Sequence, residues 1–157
     1  GASGMIGAEF VKNQTVDHYT FLTTTTAMVC ITRHLQPIPF DPDRDIVPVT
    51  LLPAGPLIIG VTHNHPAKTM REFVQWAKSN AASIGTFAPA STAHMLIDVI
   101  NRSQGLSITA VHYKGEAPMW QDMGAGQLQA AMGSPQAMNA LAVKGDVRGI
   151  AAPSKVM

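Results

Sequence analysis

Charge is scarce in this sequence. Lysine and arginine number 11 and aspartate and glutamate 10 among 157 residues, a net +1 with histidine neutral. Binding to nucleic acid needs a basic field, and none is present. Aromatic and basic residues do not interleave as RNA-binding surfaces require either. Lys144, Arg148 and Lys155 cluster loosely near the end and read as a solvated face. There is one cysteine, Cys30. It can close no disulfide within the chain, no zinc-ligand spacing surrounds it, and its setting, AMVCIT, predicts a buried structural thiol. No apolar run reaches the ~20 residues of a membrane-spanning helix, and no signal-peptide pattern is read within the given residues. The chain opens at Gly1 inside what reads as a Gly-rich turn and closes on SKVM without a stop element, so it reads as a segment of something longer. No phosphate-binding glycine loop, dinucleotide fingerprint or G-x-S-x-G elbow occurs.

What is present is an apolar fraction of 46%, ordinary for a globular protein, over a length that suits one domain or parts of two. GASGMIGAEFVKN predicts a short helix from Met5 to Lys12, and Asp17-His18 a turn. The β-branched and aromatic run Tyr19 to Thr25 predicts a strand. A second helix is expected over Met28 to His34, then a loop in PIPFDPDRD, where repeated proline denies helical geometry. From Ile46 the texture changes. Strands are expected at Val47 to Leu52 and Pro56 to Val61. Thr69 and Glu72 form a capping-box pattern ahead of a helix that buries Phe73, Trp76 and Ala77. Strands 83–87, 107–112, 128–132 and 147–151 then alternate with helices 92–103, 116–123 and 135–142. That alternation predicts βαβ units and a mainly parallel sheet with helices on its faces. The expected organisation is one α/β unit over 46–152, preceded by 1–45 as part of a different sheet.

Ligands of open parallel sheets bind beyond the carboxyl ends of the strands. Three stretches are candidates for that position. In GTFAPASTAHM, Ser91 or Thr92 can cap a helix start, and the outward N–H groups beside them attract anions. Capping alone is the simpler reading of both hydroxyls. Thr23, Thr24, Thr25 and Thr26 place hydroxyls at the end of the first expected strand, with a polar edge strand as the alternative. Gly133-Ser134-Pro135-Gln136 repeats the Ser-before-helix pattern, again compatible with a cap alone. His63-Asn64-His65 has an H-x-H spacing but reads as a turn, not a metal site. His94 sits in a first helical turn and His112 in a strand. A Ser91–His94–Asp98 triad would need all three on one helix, whose geometry suits it poorly. Met119 and Trp120 read as a buried helix face, Pro118 as a first-turn proline, and Gly124-Ala-Gly126 as a helix C-cap.

In order and spacing, GASGMIGAEFV, DHYTFL, PIPFDPDRDIVPVTLL, PAKTMREFVQWAK, GTFAPASTAHM, VHYKGEAPMWQDMGAGQLQAAMGSPQAM and KGDVRGIAAP are similar to the Bug-type (TctC-like) receptors of tripartite tricarboxylate transporters. These are periplasmic solute-binding proteins. The resemblance covers essentially the whole chain. It implies a periplasmic-binding-protein-like α/β flytrap whose lobes carry mainly parallel sheets flanked by helices. Residues 1–45 would be part of the first lobe, 46–152 the second, and 153–157 the start of a return to the first. It implies capture of a small organic carboxylate by backbone N–H groups and small hydroxyls, without a metal, a cofactor or catalysis. Closure would occur around Val47 to Pro56 and Ala151 to Pro153. Membrane permease subunits would be the partners, and nucleic acid would not.

Carried over by motif, the ligand loops are Thr23 to Thr26; Thr86, Phe87, Ala88, Ala90, Ser91 and Thr92, with His94 beyond; and Gly133, Ser134 and Gln136. Two departures matter. The family's first strand with its carboxylate-clamping loop, and the part that completes the first lobe, match nothing in this chain. Affinity would then be weak or nil, and the incomplete first lobe prone to self-association. Pro89 stands where many relatives have Gly or polar residues, stiffening the loop and leaving the ligand's identity open. Two rival readings stand beside the receptor: a small α/β hydrolase using His94 or His112, and a folded fragment without a ligand.

Overall fold

A computed structural model describes residues 4–14, 17–52 and 55–152. The expected return segment 153–157, with Pro153, lies outside them, as does Lys155. The chain divides into two compact units, 1–53 and 54–157.

In the first unit α1 spans Met5–Lys12, as its pattern predicts. A π-helical turn, Ala27–Ile31, runs into α2, Thr32–Leu35, and α3 covers Pro42–Asp45. Asp17 builds the expected turn: one carboxylate oxygen accepts from the amides of Tyr19 and Thr20 at 2.8 Å each. These hydrogen bonds, the Thr20 hydroxyl's foremost, hold that carboxyl below the usual carboxylate range. Ala8, Met28 and Phe40 form a small core with Leu22, Val29, Ile38 and Ile46 packed on it. At the surface Arg33 grips Asp43 through two bonds, 2.6 and 2.9 Å, and Lys12 pairs with Asp45 at 2.9 Å.

Several expectations are corrected here. The PIPFDPDRD stretch is not all loop: α3 lies within it, because Pro42 stands at the first helical position, where a missing N–H costs nothing. Tyr19–Thr25 forms no strand, nor does Val47–Leu52. β-propensity marks a chain that suits a pleated surface, but a strand exists only where another supplies hydrogen bonds. Among the described residues no strand pairs with either run. Cys30 is exposed, not buried. The π-helical turn directs Met28 and Thr32 inward instead, and Thr32 Oγ1 donates to the Ala27 carbonyl.

The second unit follows the predicted alternation closely. β1 is Ile58–Thr62, α4 Met70–Ala77, β2 Ser83–Thr86, α5 Thr92–Gln104, β3 Thr109–His112, α6 Glu116–Gly124, β4 Ala130–Gly133, α7 Pro135–Ala142 and β5 Val147–Ala151. The five strands form one sheet in the order β3-β2-β4-β1-β5. β2 runs parallel to β3 and β4, while β1 is antiparallel to both β4 and β5. Four strands therefore share a direction, and β1 is inserted against them, so the sheet is mostly parallel. Helix ends follow local chemistry. Thr69 Oγ1 accepts from the Glu72 amide, while the Glu72 carboxylate reaches one residue beyond the usual box to the amide of Lys68. Gly126, at φ +80°, ends α6 in the left-handed conformation that glycine adopts at little cost.

Each sheet face carries its own core. Ile59, Val61, Ile84, Ala130 and Met132 pack under α4 and α5 with Phe73, Ala93 and Ile97. On the other face Ala131 packs with Met119, Trp120 and Met123 of α6 and with Met138 of α7. That second face is paved with small residues. Strand register places Gly85, Ala131, Gly60 and Gly149 side by side across β2, β4, β1 and β5. A Cβ on Gly60 would lie 3.0 Å from the Trp120 ring, and one on Gly85 only 2.7 Å from Leu128 and 2.8 Å from Met119. The absent side chains let α6 lie close to the sheet, with Trp120 only 2% exposed. Burying a side chain of that size stabilises the fold by roughly 4–6 kcal/mol before entropy is subtracted.

Arg148 is no part of a solvated face. Its guanidinium donates to the carbonyls of His63, His65 and Ala67, fastening the 63–67 turn to β5. His65 is buried there, against Phe73 and Trp76.

Substituting Gly85→Ala should overpack the α6 face and lower stability by about 1–3 kcal/mol, read as a lower urea midpoint. Gly55→Ala, where a Cβ meets nothing within 4 Å, should leave the midpoint unchanged. Equal midpoints for the two variants would count against the close approach of α6.

Candidate functional site

β2, β3 and β4 run in one direction, so their carboxyl ends share one edge of the sheet. Each is followed by a helix whose start faces that edge: α5 after β2, α6 after β3 and α7 after β4. The loop 87–91 is tied down on its β3 side, with the Tyr113 amide donating to the Thr86 carbonyl at 2.8 Å and the Gly115 amide to Phe87 at 3.0 Å.

At α5, Ser91 is the N-cap. Its Oγ accepts from the His94 amide at 3.3 Å, and the residue is 4% exposed. The capping role is therefore filled by Ser91, while Thr92 at the first helical position is exposed. The amides of Thr92 and Ala93 have no partner inside the helix, as first-turn geometry dictates. Ala90 adopts φ +59°, a left-handed conformation costing roughly 1 kcal/mol in a residue with a Cβ. That twist directs its amide to Nδ1 of His94, 3.2 Å away.

Thr86 is fully buried at the end of β2. Its hydroxyl contacts the Ala88 carbonyl at 3.3 Å and Nδ1 of His112, its neighbour on β3, at 2.7 Å. The rings of His94 and His112 lie 4.4 Å apart between centroids. Both line a cleft of about 310 Å³ with Ile97, Asp98 and Asn101 of α5 and Ile108 and Ala110.

On the opposite face of the same edge, Ser134 caps α7, its Oγ accepting from the Ala137 amide at 3.3 Å. Its own amide and hydroxyl are already engaged by a carboxylate. Glu116, the first residue of α6, accepts from the Ser134 amide at 3.1 Å and from its Oγ at 2.5 Å. Gly133 beside it is buried; a Cβ there would meet Trp120 Nε1 at 3.0 Å and Glu116 at 3.2 Å. Gln136 is exposed.

The structure thus gathers Thr86, Phe87, Ala88, Ala90, Ser91, Thr92 and His94 with Gly133, Ser134 and Gln136 at one sheet edge. Thr23, Thr24, Thr25 and Thr26 belong to the other unit, exposed ahead of its π-helical turn. The hypothetical triad is not assembled. Ser91 and His94 meet only through a backbone amide, and Asp98 pairs with Arg102 at 2.9 Å. Sequence reasoning missed Glu116. Its only signal is that it opens the helix preceding β4, 18 residues before Ser134, and nothing local announces such a contact. Among the described residues no group of three or more His, Cys, Asp or Glu could hold a metal, and no helix is long and apolar enough to cross a membrane.

Helix starts gathered at the carboxyl edge of the sheet are common to open α/β folds, and likeness to solved periplasmic proteins narrows the class. A solved periplasmic transporter structure aligns over 97% of this chain and 52% of its own length, at 26% identity and TM-score 0.86. The R. palustris protein Rpa4515, solved with adipate, aligns over the same shares at 29% identity and TM-score 0.89. The model of the tripartite tricarboxylate transporter family receptor, TctC, matches residues 1–155, and the chain belongs to that family. Among curated relatives, a UPF0065 protein of Bordetella bronchiseptica is 28% identical over 82% of this chain and 38% of its own. Protein BugT of Bordetella pertussis is 25% identical over 96% and 48%. The chain thus spans less than half the length of these two curated relatives.

Two histidines of the second unit are held below the ordinary imidazole value. Burial is the larger cause for each, followed by Arg148 for His65 and by His94 for His112. With folded values depressed below about 6.5, the unfolded chain takes up protons first. Their contribution to stability is complete above that pH and lost as pH falls through the depressed values. The urea midpoint of the second unit should therefore be lower at pH 5.5 than at pH 7.5, and His112→Asn should narrow the gap. A midpoint that rises on acidification would contradict this.

Proposed function

We propose that this chain is part of a periplasmic solute-binding receptor that captures a small organic carboxylate for a tripartite transporter. The observation that carries this is the start of α5. Ser91 caps the helix from inside, leaving Thr92 exposed at the positive end of the helix dipole, with His94 beside it. A carboxylate seated there would take hydrogen bonds from the Thr92 hydroxyl and the first-turn amides without needing a lysine or arginine. Membership of a transporter-receptor family supports the same reading. So does likeness to a protein solved with adipate. A non-catalytic role fits the geometry at this edge, where Ser91 Oγ accepts from the His94 backbone amide and His94 Nδ1 is taken by the Ala90 amide. The α7 start is a poorer seat, because Glu116 already occupies the Ser134 amide. Residues 1–45 would be part of the first lobe of the flytrap and 46–152 the second, with membrane permease subunits as the downstream partner.

Isothermal titration with mono-, di- and tricarboxylates, adipate and malate among them, tests this. Binding of at least one acid is expected, and Thr92→Ala should weaken it about tenfold, the scale of a hydrogen bond to a charged group. A folded chain that gives no heat with any acid would sink the reading. So would catalytic turnover abolished by a His94 substitution, which belongs to the hydrolase alternative.

The first unit also exposes large apolar side chains, among them Tyr19 and Leu51 at 88% and Val47 at 82%. We propose that this surface drives self-association. Sedimentation velocity should show the mean mass rising with concentration, and the double substitution Val49→Asp and Leu51→Asp should return it toward the monomer. Mass that is independent of concentration would exclude it.

A further inference from the structure

The His94–His112 pair has a chemistry that neither the fold nor the family membership requires, and its tautomers can be assigned from the bonds around it. His94 accepts the Ala90 amide at Nδ1. Its neutral ring therefore carries its proton on Nε2 and presents a donor. Thr86 has one hydroxyl hydrogen. Donated to the Ala88 carbonyl, it leaves Thr86 Oγ1 to accept from His112 Nδ1–H at 2.7 Å. His112 then presents a bare Nε2. One cleft thus holds a fixed donor and a fixed base, on rings 4.4 Å apart.

The geometry points to a proton-linked carboxylate subsite: an acid lodged in this cleft accepts from His94 Nε2–H, and His112 takes up a proton on Nε2 to supply the second donor. This rests on the carboxylate-receptor reading above and adds to it a chemical cost and a pH response. No covalent bond changes; one proton moves from solvent to His112 as the anion enters, so the filled cleft gains no net charge. The surroundings suit this. β2 contributes to the pair only the neutral Thr86, and the 87–91 loop carries no titratable side chain. From α5, Asp98 also lines the cleft, but its carboxylate is paired with Arg102 at 2.9 Å. Lys114, two residues beyond His112, is exposed. In the empty cleft burial first, and His94 second, hold the His112 imidazole below its ordinary value. An arriving carboxylate replaces lost solvation with an opposite charge and reverses that shift.

The site is positioned by features with no other evident purpose. The strained φ of Ala90 fixes the amide that sets the His94 tautomer. The buried Thr86 fixes that of His112. A lone imidazole could serve as either donor or base, but two with their Nδ1 atoms committed in opposite senses cannot exchange roles.

Calorimetric titration of the full chain with adipate, in two buffers of different ionisation enthalpy, reads the proton directly. Uptake approaching one proton per adipate is expected at pH 7, with affinity rising up to about tenfold per unit as pH falls from 8 to 6. His112→Asn, which can still donate to Thr86, should bind adipate with no proton uptake and no pH slope. His94→Asn should weaken binding at every pH. If the wild-type chain binds adipate without taking up a proton, or if His112→Asn keeps the slope, the inference falls while the receptor reading stands. If no carboxylate binds at any pH between 5.5 and 8.5, the receptor reading fails and carries this inference with it.

Discussion

The second unit depends on a row of side chains that are almost not there. Gly85, Ala131, Gly60 and Gly149 lie in register across four strands; α6 rests on the first three through Met119 and Trp120, while Gly149 faces Ile58 and Met138 of α7. Had these positions carried ordinary strand residues, α6 would stand further from the sheet by about the depth of a side chain. Its first residue, Glu116, would then not reach Ser134. The glycines forgo β-propensity and conformational entropy, and the offset comes from the Trp and Met side chains they allow to be buried. A packing constraint in the middle of the sheet thereby fixes polar chemistry at its edge.

At that edge the three helix starts are treated unequally. α7 is closed by the protein's own carboxylate, Glu116. α6 begins after Gly115 with no side-chain cap and contributes that carboxylate. α5 is capped from within by Ser91 and leaves its outer rim to Thr92 and His94. An incoming anion would be repelled on the α6–α7 face and favoured on the α5 face. Helix dipoles make every start attractive in principle, and only the placement of side chains from other elements decides which remains open. The sheet separates the two faces, so the open start and the closed one lie close together without competing.

The first unit rests on different physics. Its core is small, and ion pairs at its surface, Arg33–Asp43 and Lys12–Asp45, add only modest stability because water and salt screen them. Its apolar residues between Val47 and Leu52 alternate as a strand would, yet they find no strand to pair with among the described residues. Propensity without a hydrogen-bonding partner leaves an extended, exposed segment.

Local chemistry was legible from residue order. The helices and strands from β1 to β5 are written in short-range sequence patterns, and the caps at Thr69, Ser91 and Ser134 each follow from one residue's relation to the amide three positions on. The carboxyl-edge location of the candidate site was legible too, since parallel strands joined by helices must end together. Pairing was not. Whether Tyr19–Thr25 finds a neighbouring strand, that Thr86 meets His112 across 26 positions and that Glu116 closes α7 are decided by strand register and by the depth at which a helix settles. Those are properties of several elements at once. A sequence specifies each element through interactions a few residues long, whereas a site is made by side chains that only folding makes neighbours.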